Sequence, residues 1–518
     1  MEAKSGRSRP RAVFMAFGTK GDVYPIAAIA AAFAIDQQQY NVVLITHSAH
    51  KNLSAELATK NVSYFPISTP SVLSASQENS SGSVDFPFSL QKKLITVKHR
   101  QECLSAMERI FDDGPNMEND FIAINFFALE GWNLAELFRV RCVIAAPYVV
   151  PYSAPSSFEC QFRNEFPLLY KYLQEVPTGK VCWKDVIHWM WPLFTEEWGS
   201  WRSAALNLSP CPFTDPVTDL PMWHDWPQSP LLLYGFSREV VECPGYWPSN
   251  IRVCGFWFLP TEWQFSCNNC KEISALLSSG HLRTKNEMCP QHADLEYFLK
   301  TPASVLPIFL GLSSIGSMGF LTNPRAFLRV IEVVLGITSY RFILFTAGYE
   351  PLDAAAQEIA AEMGSFSNQG PDSKDGILLF SGRLFCFSGA IPYNWLFPRC
   401  ALAIHHGGSG STAEALRAGI PQVLCPFMLD QFYWAERMFW IGVAPEPLQK
   451  RYLLPDDDDL VSIRQAANGL SNAINSALSP KIKEFASEIA QRISSEDGVG
   501  KAVRFLKEEV ISLSRSED

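Results

Sequence analysis

The chain has 518 residues, a length that predicts two or three domains, because one hydrophobic core stops growing well below it. Hydrophobic residues make up 47% and charged residues 19%, which excludes an intrinsically disordered chain. The net charge of −10 excludes a protein held on nucleic acid by phosphate contacts, so no nucleic-acid partner is expected.

Neither a membrane span nor a secretory signal is expected. No apolar run reaches the roughly 18–20 residues that cross a bilayer. The first apolar run, AVFMAF at 12–17, ends at once in GTKGD, unlike a signal peptide. Thirteen cysteines in such a chain indicate reduced thiols, a metal site or both. We expect a cytoplasmic monomer, and a peripheral membrane contact is compatible with these features.

The first part of the chain alternates strand-like and helix-like patterns. Short apolar runs rich in β-branched and aromatic residues occur at 12–17, 41–47, 62–67, 121–127 and 142–148. The helical stretch PIAAIAAAFAI separates the first two runs, and AELFRV precedes the last. Alternation of this kind predicts a parallel sheet with helices on both faces.

Residues 150–300 interrupt the alternation. Ten of the fourteen tryptophans fall within 183–263, amid many prolines. Two interpretations stay open: aromatic packing beneath long loops, or an apolar wall for a hydrophobic ligand.

From Leu306 the alternation restarts. The apolar runs are PIFLGL, RFILFTA, GILLFSG, CALAIHH and PQVLCPF, with a helix near 323–336. Two such series in one chain predict two doubly wound α/β domains that face each other.

A glycine-rich turn joins the CALAIHH run to the helical pattern STAEALRAG. Such a turn surrounds an anion with backbone N–H groups and a helix N-terminus. Residues 408–413 fit G-x-G-x-x-A, and Asp430 lies 20 residues beyond Gly410, as in the dinucleotide fingerprint. An NAD-dependent oxidoreductase is therefore one alternative. A P-loop is excluded because no Gly-Lys-Ser/Thr follows, and a hydrolase is excluded because the chain has no G-x-S-x-G elbow.

The neighbours of this turn favour a departing nucleoside diphosphate over a retained dinucleotide. Two histidines precede the glycines, and Asp430-Gln431 follows the next strand-like run. A histidine and a helix N-terminus stabilise the charge that a diphosphate gains when its bond to a sugar breaks, and no metal is needed for this. An Asp-Gln pair supplies acceptors and donors for the hydroxyls of a hexose.

The segment HHGGSGSTAEALRAGIPQVLCPFMLDQFYWAERM resembles the donor-binding segment of family 1 UDP-glycosyltransferases, above all the sterol 3-β-glucosyltransferase branch and its glycopeptide-antibiotic relatives. GTKGDVYPIAAIA near the N-terminus is similar to their GTRGDVQP segment. Further similar segments are YGFS (234–237), VCGFWFL (253–259), IPYNWLFPRC (391–400) and SSEDGVGKAVRFL near the C-terminus. The resemblance therefore covers nearly the whole chain.

The resemblance implies a GT-B architecture, in which two Rossmann-like doubly wound domains face each other across a cleft. The implied parts are a basic flexible tail (1–11), an acceptor-binding domain (12–245), a linker (246–300), a UDP-sugar-binding domain (301–480) and C-terminal helices that cross back to the first domain (481–518). The implied reaction is inverting transfer of glucose from a UDP-sugar to a hydroxyl of an apolar acceptor such as a sterol or triterpenoid. No cofactor is expected for catalysis. The open alternative is a non-catalytic protein that binds nucleotide sugar or lipid.

The resemblance also assigns donor-binding roles. His406 would contact the diphosphate, Asp430 and Gln431 the sugar hydroxyls, and Glu414 the ribose. Ser411 and Thr412 would hold the phosphates or cap the helix, two roles that can coexist. The remaining positions are the glycines that allow close approach, the serine of the GLSSIGSMG segment, and the segment 391–395 that meets the uracil: Gly407, Gly408, Gly410, Ser314 or alternatively Ser313, and Ile391.

Asp22 is the candidate catalytic base. In the glycopeptide-type relatives the aspartate of the GDV segment has this role, whereas the His motif of the plant small-molecule enzymes, H-P-x-x-G-H, is absent here. A carboxylate on a loop that faces the cleft can accept the proton of the acceptor hydroxyl. The alternative is that Asp22 only caps a helix starting near Pro25.

A second group of residues is not explained by the resemblance. Cys267-Asn-Asn-Cys270 is followed after 18 residues by Cys289-Pro-Gln-His292. This pattern has the ligand types and the paired spacing of a closed tetrahedral zinc site. Its position before the second domain predicts a structural zinc that stabilises a loop-rich linker.

Overall fold

The structure is a computed structural model of the chain. It describes residues 9–71, 88–115, 119–148, 154–177, 179–222, 227–245, 247, 250–281, 288–301, 306–312, 315–363 and 376–511.

The first sheet has seven parallel strands in the order β3-β2-β1-β4-β5-β6-β7. The strands are apolar on both faces because helices cover both sides of a parallel sheet. Their bounds are β1 Arg11–Met15, β2 Asn41–His47, β3 Val62–Ile67, β4 Phe121–Ile124, β5 Arg141–Ala146, β6 Leu232–Tyr234 and β7 Ile251–Val253.

The second sheet has six strands in the order β10-β11-β9-β8-β12-β13, and only its edge strand β10 runs antiparallel. The bounds are β8 Ile308–Gly311, β9 Phe342–Phe345, β10 Ile377–Leu379, β11 Leu384–Phe387, β12 Leu402–His405 and β13 Gln422–Leu424. Two doubly wound sheets of this kind confirm the predicted fold class.

The helices, numbered in chain order, are distributed over the two domains and the linker. In the first domain they are α1 Lys20–Asp36, α2 Leu53–Ala58, α3 Phe88–Ile110, α4 Glu130–Phe138, α5 Phe158–Glu165, α6 Pro167–Glu175, α7 Trp183–Asp185 and α8 Glu196–Ala205. The linker contains α9 Asn268–Ser278 and α10 Ala293–Lys300. The rest are α11 Pro324–Ile337, α12 Glu350–Glu362, α13 Tyr393–Leu396, α14 Ser409–Ala418, α15 Gln431–Trp440, α16 Leu460–Ala477, α17 Pro480–Ile493 and α18 Gly498–Ile511.

The first sheet extends further along the chain than the sequence predicted. β6 and β7 lie in the region that seemed to interrupt the alternation, and β7 follows the expected domain end at 245. Each has only three residues, too few to show a hydrophobic period. At the other end, Arg11 of the expected tail is the first residue of β1, and its guanidinium lies 2.9 Å from a carboxylate oxygen of Asp113.

Aromatic side chains from the tryptophan-rich region pack against each other and against α4. The Trp183 ring stacks on Phe158 with centroids 6.1 Å apart, and Trp189 meets Trp132 edge-on at 5.6 Å. Trp183 and Trp189 are buried, which supports the packing interpretation for these two residues.

The last helix of the chain lies on the first. Val503, Leu506 and Val510 of α18 belong to the same buried cluster as the alanine-rich face of α1. An ion pair of 2.9 Å joins Lys507 to Asp36 at the end of α1. Helix α17, by contrast, packs against α14 of the second domain. The two C-terminal helices therefore connect the domains.

Among the helices in the described ranges, none combines the length and the apolar character needed to cross a membrane.

Candidate active site

The predicted site residues lie at the carboxyl ends of strands from both sheets. Asp22 follows β1 in the first sheet. The glycine-rich turn follows β12, and Asp430 follows β13 in the second. In open α/β sheets this edge is where ligands bind.

Asp22 is the third residue of α1, because the helix begins at Lys20 with Thr19 as its N-cap. The expected start near Pro25, with Asp22 as the cap, is wrong in this detail. One carboxylate oxygen, Oδ2, accepts hydrogen bonds from the Thr19 backbone N–H at 2.7 Å and its hydroxyl at 2.8 Å. Within the described residues no group donates to Oδ1. One oxygen thus secures the helix start and the other is available to a ligand.

Two residues fix this loop. Gly18 has φ +110°, and a Cβ there would lie 2.6 Å from Asp22 Oδ2, so only glycine fits. Asn125, directly after β4, accepts a hydrogen bond from the Phe17 N–H at 3.2 Å. Its Nδ2 donates to the carbonyl oxygens of Phe17 at 2.8 Å and Asp22 at 3.3 Å. Asn125 was not predicted, although a polar residue at the end of an apolar strand was visible in FIAINFF.

Burial raises the pKa of Asp22 to about 6, against the opposing effect of its two hydrogen bonds from Thr19. The group is therefore mostly ionised at pH 7. Its basicity exceeds that of an ordinary aspartate, which suits a general base.

The turn after β12 leads into a helix N-terminus that no side chain caps. Its N-cap is Gly408, and the first N–H with an intrahelical partner belongs to Thr412, which donates to the Gly408 carbonyl at 3.0 Å. The N–H groups of residues 409–411 have no acceptor among the described residues. Three free N–H groups at the positive end of a helix dipole form an anion site.

The two histidines before the glycines have different roles. His405 interacts through Nε2 with Gln422 Oε1 at 2.9 Å, and its Nδ1 accepts from the Gly407 N–H at 3.0 Å. It therefore positions the turn. His406 is buried beside Gly408, and its Nδ1 has no partner. Burial, and then the neighbouring His405, lowers the pKa of His406 to about 3, so its imidazole is neutral in the free protein.

Gly407, in the glycine-rich turn, packs closely against the start of α15. Its φ is +87°, and a Cβ would lie 3.1 Å from the backbone oxygen of Gln431. This close contact brings the predicted phosphate turn next to the predicted sugar-binding pair.

Asp430 lies near enough to Asp22 for the two carboxyls to interact electrostatically. Burial raises the pKa of Asp430 to about 7, and the negative charge of Asp22 raises it further. Its Oδ2 accepts from Trp434 Nε1 at 3.1 Å, and the Trp434 ring contacts Phe256 of the first domain, with centroids 6.3 Å apart. Packing between the domains thus sets the position of Asp430.

Gln431 is partly committed to its own loop. Its Oε1 accepts from the backbone N–H groups of Phe427 at 2.9 Å and Met428 at 3.2 Å. The prediction that Asp430 and Gln431 both offer acceptors to a sugar therefore changes for Gln431. Asp430 supplies the acceptor, and Gln431 retains only its Nε2 as a donor for a ligand.

Two buried polar groups on α14 lack partners. The Thr412 hydroxyl and Glu414 Oε2 are both buried without a hydrogen bond. Burial raises the pKa of Glu414 to about 7, opposed by Arg417, whose Nη1 lies 3.9 Å away. Unsatisfied polar groups in a native site are explained when a polar ligand completes them.

The segment 391–395, expected to contact the uracil, lies partly in the apolar core. Ile391 is buried in the apolar core, so only its backbone could contact a ligand. Tyr393 stacks on Phe397 with centroids 4.6 Å apart and hydrogen-bonds Ser411. Ser313 and Ser314 lie outside the described residues.

Aromatic residues line the same edge of the first sheet as Asp22. Phe126 and Phe127 follow β4, directly after Asn125, and each has its ring centroid 6.3 Å from that of Tyr148 after β5. The Phe127 side chain is 44% exposed, so part of its ring is open to a ligand. No role was predicted for these aromatic residues from the sequence.

The structure also brings together the four predicted metal ligands, Cys267, Cys270, Cys289 and His292. Their ligand atoms all lie within 4.8 Å of one another.

Comparison with known proteins identifies relatives of this fold and sequence. Residues 385–488 match the family described as erythromycin biosynthesis protein CIII-like, C-terminal domain. A sterol 3-beta-glucosyltransferase of Arabidopsis thaliana is 25% identical over 96% of this chain and 68% of its own length. A UDP-sugar-dependent glycosyltransferase of Dictyostelium discoideum is 22% identical over 96% of this chain. The crystal structure of CalG4, the calicheamicin glycosyltransferase, superposes with a TM-score of 0.56 and 16% identity, over 99% of this chain and all of its own.

These matches confirm the resemblance read from the sequence. The chain is similar to sterol 3-beta-glucosyltransferases over nearly its whole length, and its fold is that of the GT-B glycosyltransferases. The chain spans only part of its curated relatives, from 68% of the Arabidopsis protein to 26% of the Dictyostelium protein.

The loop that carries Asp22 provides a stability test. Gly18→Ala should destabilise the protein by about 1–3 kcal/mol, because alanine is strained at positive φ and its Cβ would clash with the Asp22 carboxylate. Gly21→Ala, in the adjoining first turn of α1, is the control, since its Cβ would meet nothing closer than 3.7 Å. Thermal unfolding compares the two, and equal melting temperatures would contradict the described loop.

Proposed function

We propose that the protein transfers a sugar, glucose in the first instance, from a UDP-sugar to a hydroxyl of an apolar acceptor of the sterol class, with inversion at the anomeric carbon. The observation that carries this proposal is the uncapped N-terminus of α14 next to Asp430-Gln431, with Asp22 near enough for its charge to act on Asp430.

The donor half of the proposal rests on the second domain. The free N–H groups at 409–411 would hold the diphosphate, with the neutral His406 imidazole against it. Asp430 would accept hydrogen bonds from sugar hydroxyls, and the amide nitrogen of Gln431 would donate. Glu414 Oε2, which has no hydrogen bond among the described residues, suits a ribose hydroxyl, and the name of the Dictyostelium relative supports a UDP-sugar.

The chemical step would be a single displacement. As the acceptor oxygen bonds to the anomeric carbon, its proton passes to Asp22 Oδ1, and the bond from that carbon to the diphosphate oxygen breaks. The electron pair leaves with the diphosphate, and the N-terminus of α14 stabilises it. Attack on the face opposite the leaving group inverts the configuration, so an α-linked donor gives a β-glycoside.

The acceptor half rests on the first domain. The exposed Phe127 ring, with Phe126 and Tyr148 behind it, offers an apolar surface next to Asn125 and the Asp22 loop. Such a surface binds a fused-ring alcohol and leaves its hydroxyl at the carboxylate. The Arabidopsis relative, named a sterol 3-beta-glucosyltransferase, supports the same class of acceptor.

Transfer should depend on the ionised form of Asp22. Because the carboxylate is the base, kcat/KM should rise with pH through the range of about 6 to 7 set by the two facing carboxyls, and then level off. Asp22→Asn should lower kcat by about 10²-fold or more while UDP binding persists. Steady-state assays with UDP-glucose and a sterol, read by product mass, measure both effects.

Asp36→Asn, at the far end of the same helix, is the matched control and should retain the wild-type rate. If Asp22→Asn also retains it, Asp22 is not the base. If neither the wild type nor any variant releases UDP, the non-catalytic binding alternative is correct.

The space in front of Gly410 should be the diphosphate site. A Cβ at Gly410 or at Gly336 would meet no protein atom within 4 Å among the described residues, so neither Gly410→Ala nor Gly336→Ala should lower the melting temperature. Only Gly410→Ala should weaken UDP binding, by about tenfold or more, since its methyl group would point at the ligand. Titration calorimetry with UDP tests this. Equal UDP affinities, or wild-type binding of NAD in place of UDP, would contradict the assignment.

The aromatic surface should affect the acceptor alone. Phe127→Ala should raise KM for a sterol by about tenfold, because it removes apolar contact area, and should leave KM for UDP-glucose unchanged. Trp440→Ala, a truncation of a 74% exposed aromatic side chain at the end of α15, is the control. An unchanged sterol KM in Phe127→Ala would place the acceptor elsewhere.

A further inference from the structure

Three cysteines and one histidine of the linker converge, although two pairs of them are separated by 18 residues of sequence. Cys267 is the N-cap of α9 and Cys270 lies in its first turn. Cys289 precedes the 3₁₀ turn Pro290–His292, which leads into α10. Two short turns thus present two ligands each to one point.

Three of the six distances between these ligand atoms match those of a metal tetrahedron. A zinc ion with Zn–S of about 2.3 Å and Zn–N of about 2.0–2.1 Å requires S···S edges of about 3.8 Å and S···N edges of about 3.5 Å. The Sγ atoms of Cys267 and Cys289 are 3.6 Å apart. His292 Nδ1 lies 3.5 Å from the sulfur of Cys270 and 3.3 Å from that of Cys289.

We propose that Cys267, Cys270, Cys289 and His292 bind one structural zinc ion. Four protein ligands close the coordination sphere, leaving no open position for a substrate, so the ion is not catalytic. The Cys289 N–H donates to Cys270 Sγ at 3.4 Å, the type of second-shell bond that orients a thiolate ligand.

The surroundings of the cluster agree with a metal rather than with a disulfide. A disulfide requires sulfurs about 2.05 Å apart, far less than the 3.6 Å found here. Cys270, Cys289 and His292 are all buried, within an apolar cluster that includes Phe265 and Phe298. Three cysteine sulfurs and an imidazole that surround one point offer a divalent cation four ligands of the types that zinc prefers.

The site lies where the linker meets both domains. Ser266, directly before Cys267, accepts a hydrogen bond from the Ala390 N–H at 2.9 Å and donates its own N–H to the Ala390 carbonyl at 3.0 Å. Ala390 precedes the segment expected to meet the nucleobase. On the other side, Lys271 of α9 forms an ion pair of 3.4 Å with Glu56 of α2. Zinc would therefore hold the linker against the segment 391–395 that is expected to contact the nucleobase.

Metal analysis of the purified full chain tests the proposal. We expect about one zinc per chain, retained through gel filtration and released when the thiols are alkylated or mercurated under denaturing conditions. Replacement by Co²⁺ should give the visible absorption of a tetrahedral cobalt thiolate. Neither readout depends on transferase activity, so this proposal and the proposed function can fail separately.

Variants then assign the ligands. Cys270→Ala and Cys289→Ala should lose the zinc and lower the melting temperature. Cys400→Ala, at a buried cysteine of the same apolar cluster outside the ligand group, should keep the zinc. If the wild type holds no zinc and binds none when zinc or Co²⁺ is supplied, or if Cys270→Ala and Cys289→Ala retain the metal, the proposal is wrong. A variant that fails to fold leaves the wild-type stoichiometry as the decisive result.

Discussion

The desolvation of two carboxyls, Asp22 on one domain and Asp430 on the other, is the constraint on which the site depends. Burial raises both pKa values, to about 6 and about 7, and the charge of Asp22 adds to the rise at Asp430. Such an arrangement costs stability and persists only when the surrounding structure holds it. The hydrogen bonds of Thr19 and Trp434 do this locally, and the packing of Phe256 on Trp434 does it between domains.

The two sides of the site carry opposite charge, positive at the start of α14 and negative at Asp22. The free N–H groups at the start of α14 offer partial positive charge where a leaving diphosphate would gather electrons. The carboxylate at Asp22 offers negative charge where a proton would arrive. His406, neutral when the site is free, adds no fixed charge, and its pKa should rise once an anion lies beside it. The two proposed ends lie on separate domains, which the packing of α18 on α1 and of α17 on α14 connects.

Much of this could be predicted from sequence because its signals are local. The runs at 41–47 and 62–67 became strands with the same bounds, and the spacing of the paired ligands foretold that Cys267 and His292 would meet. The strands β6 and β7 have three residues each, too few to show a hydrophobic period. The first sheet was therefore predicted to end before them. Other details are tertiary. Asn125 donates a hydrogen bond to the backbone of Asp22, and the Gln431 side-chain oxygen accepts from Phe427 and Met428. Neither contact could be predicted from the spacing of residues in the sequence.

The anomeric configuration of the product tests the central claim most directly. The claim is that Asp22 deprotonates the acceptor on the face of the sugar opposite the diphosphate at α14. With α-linked UDP-glucose and a sterol, proton NMR of the glycoside should show only the β anomer, formed in equal amount with UDP. An α-linked product would mean that attack does not come from the side of Asp22, and would contradict the account.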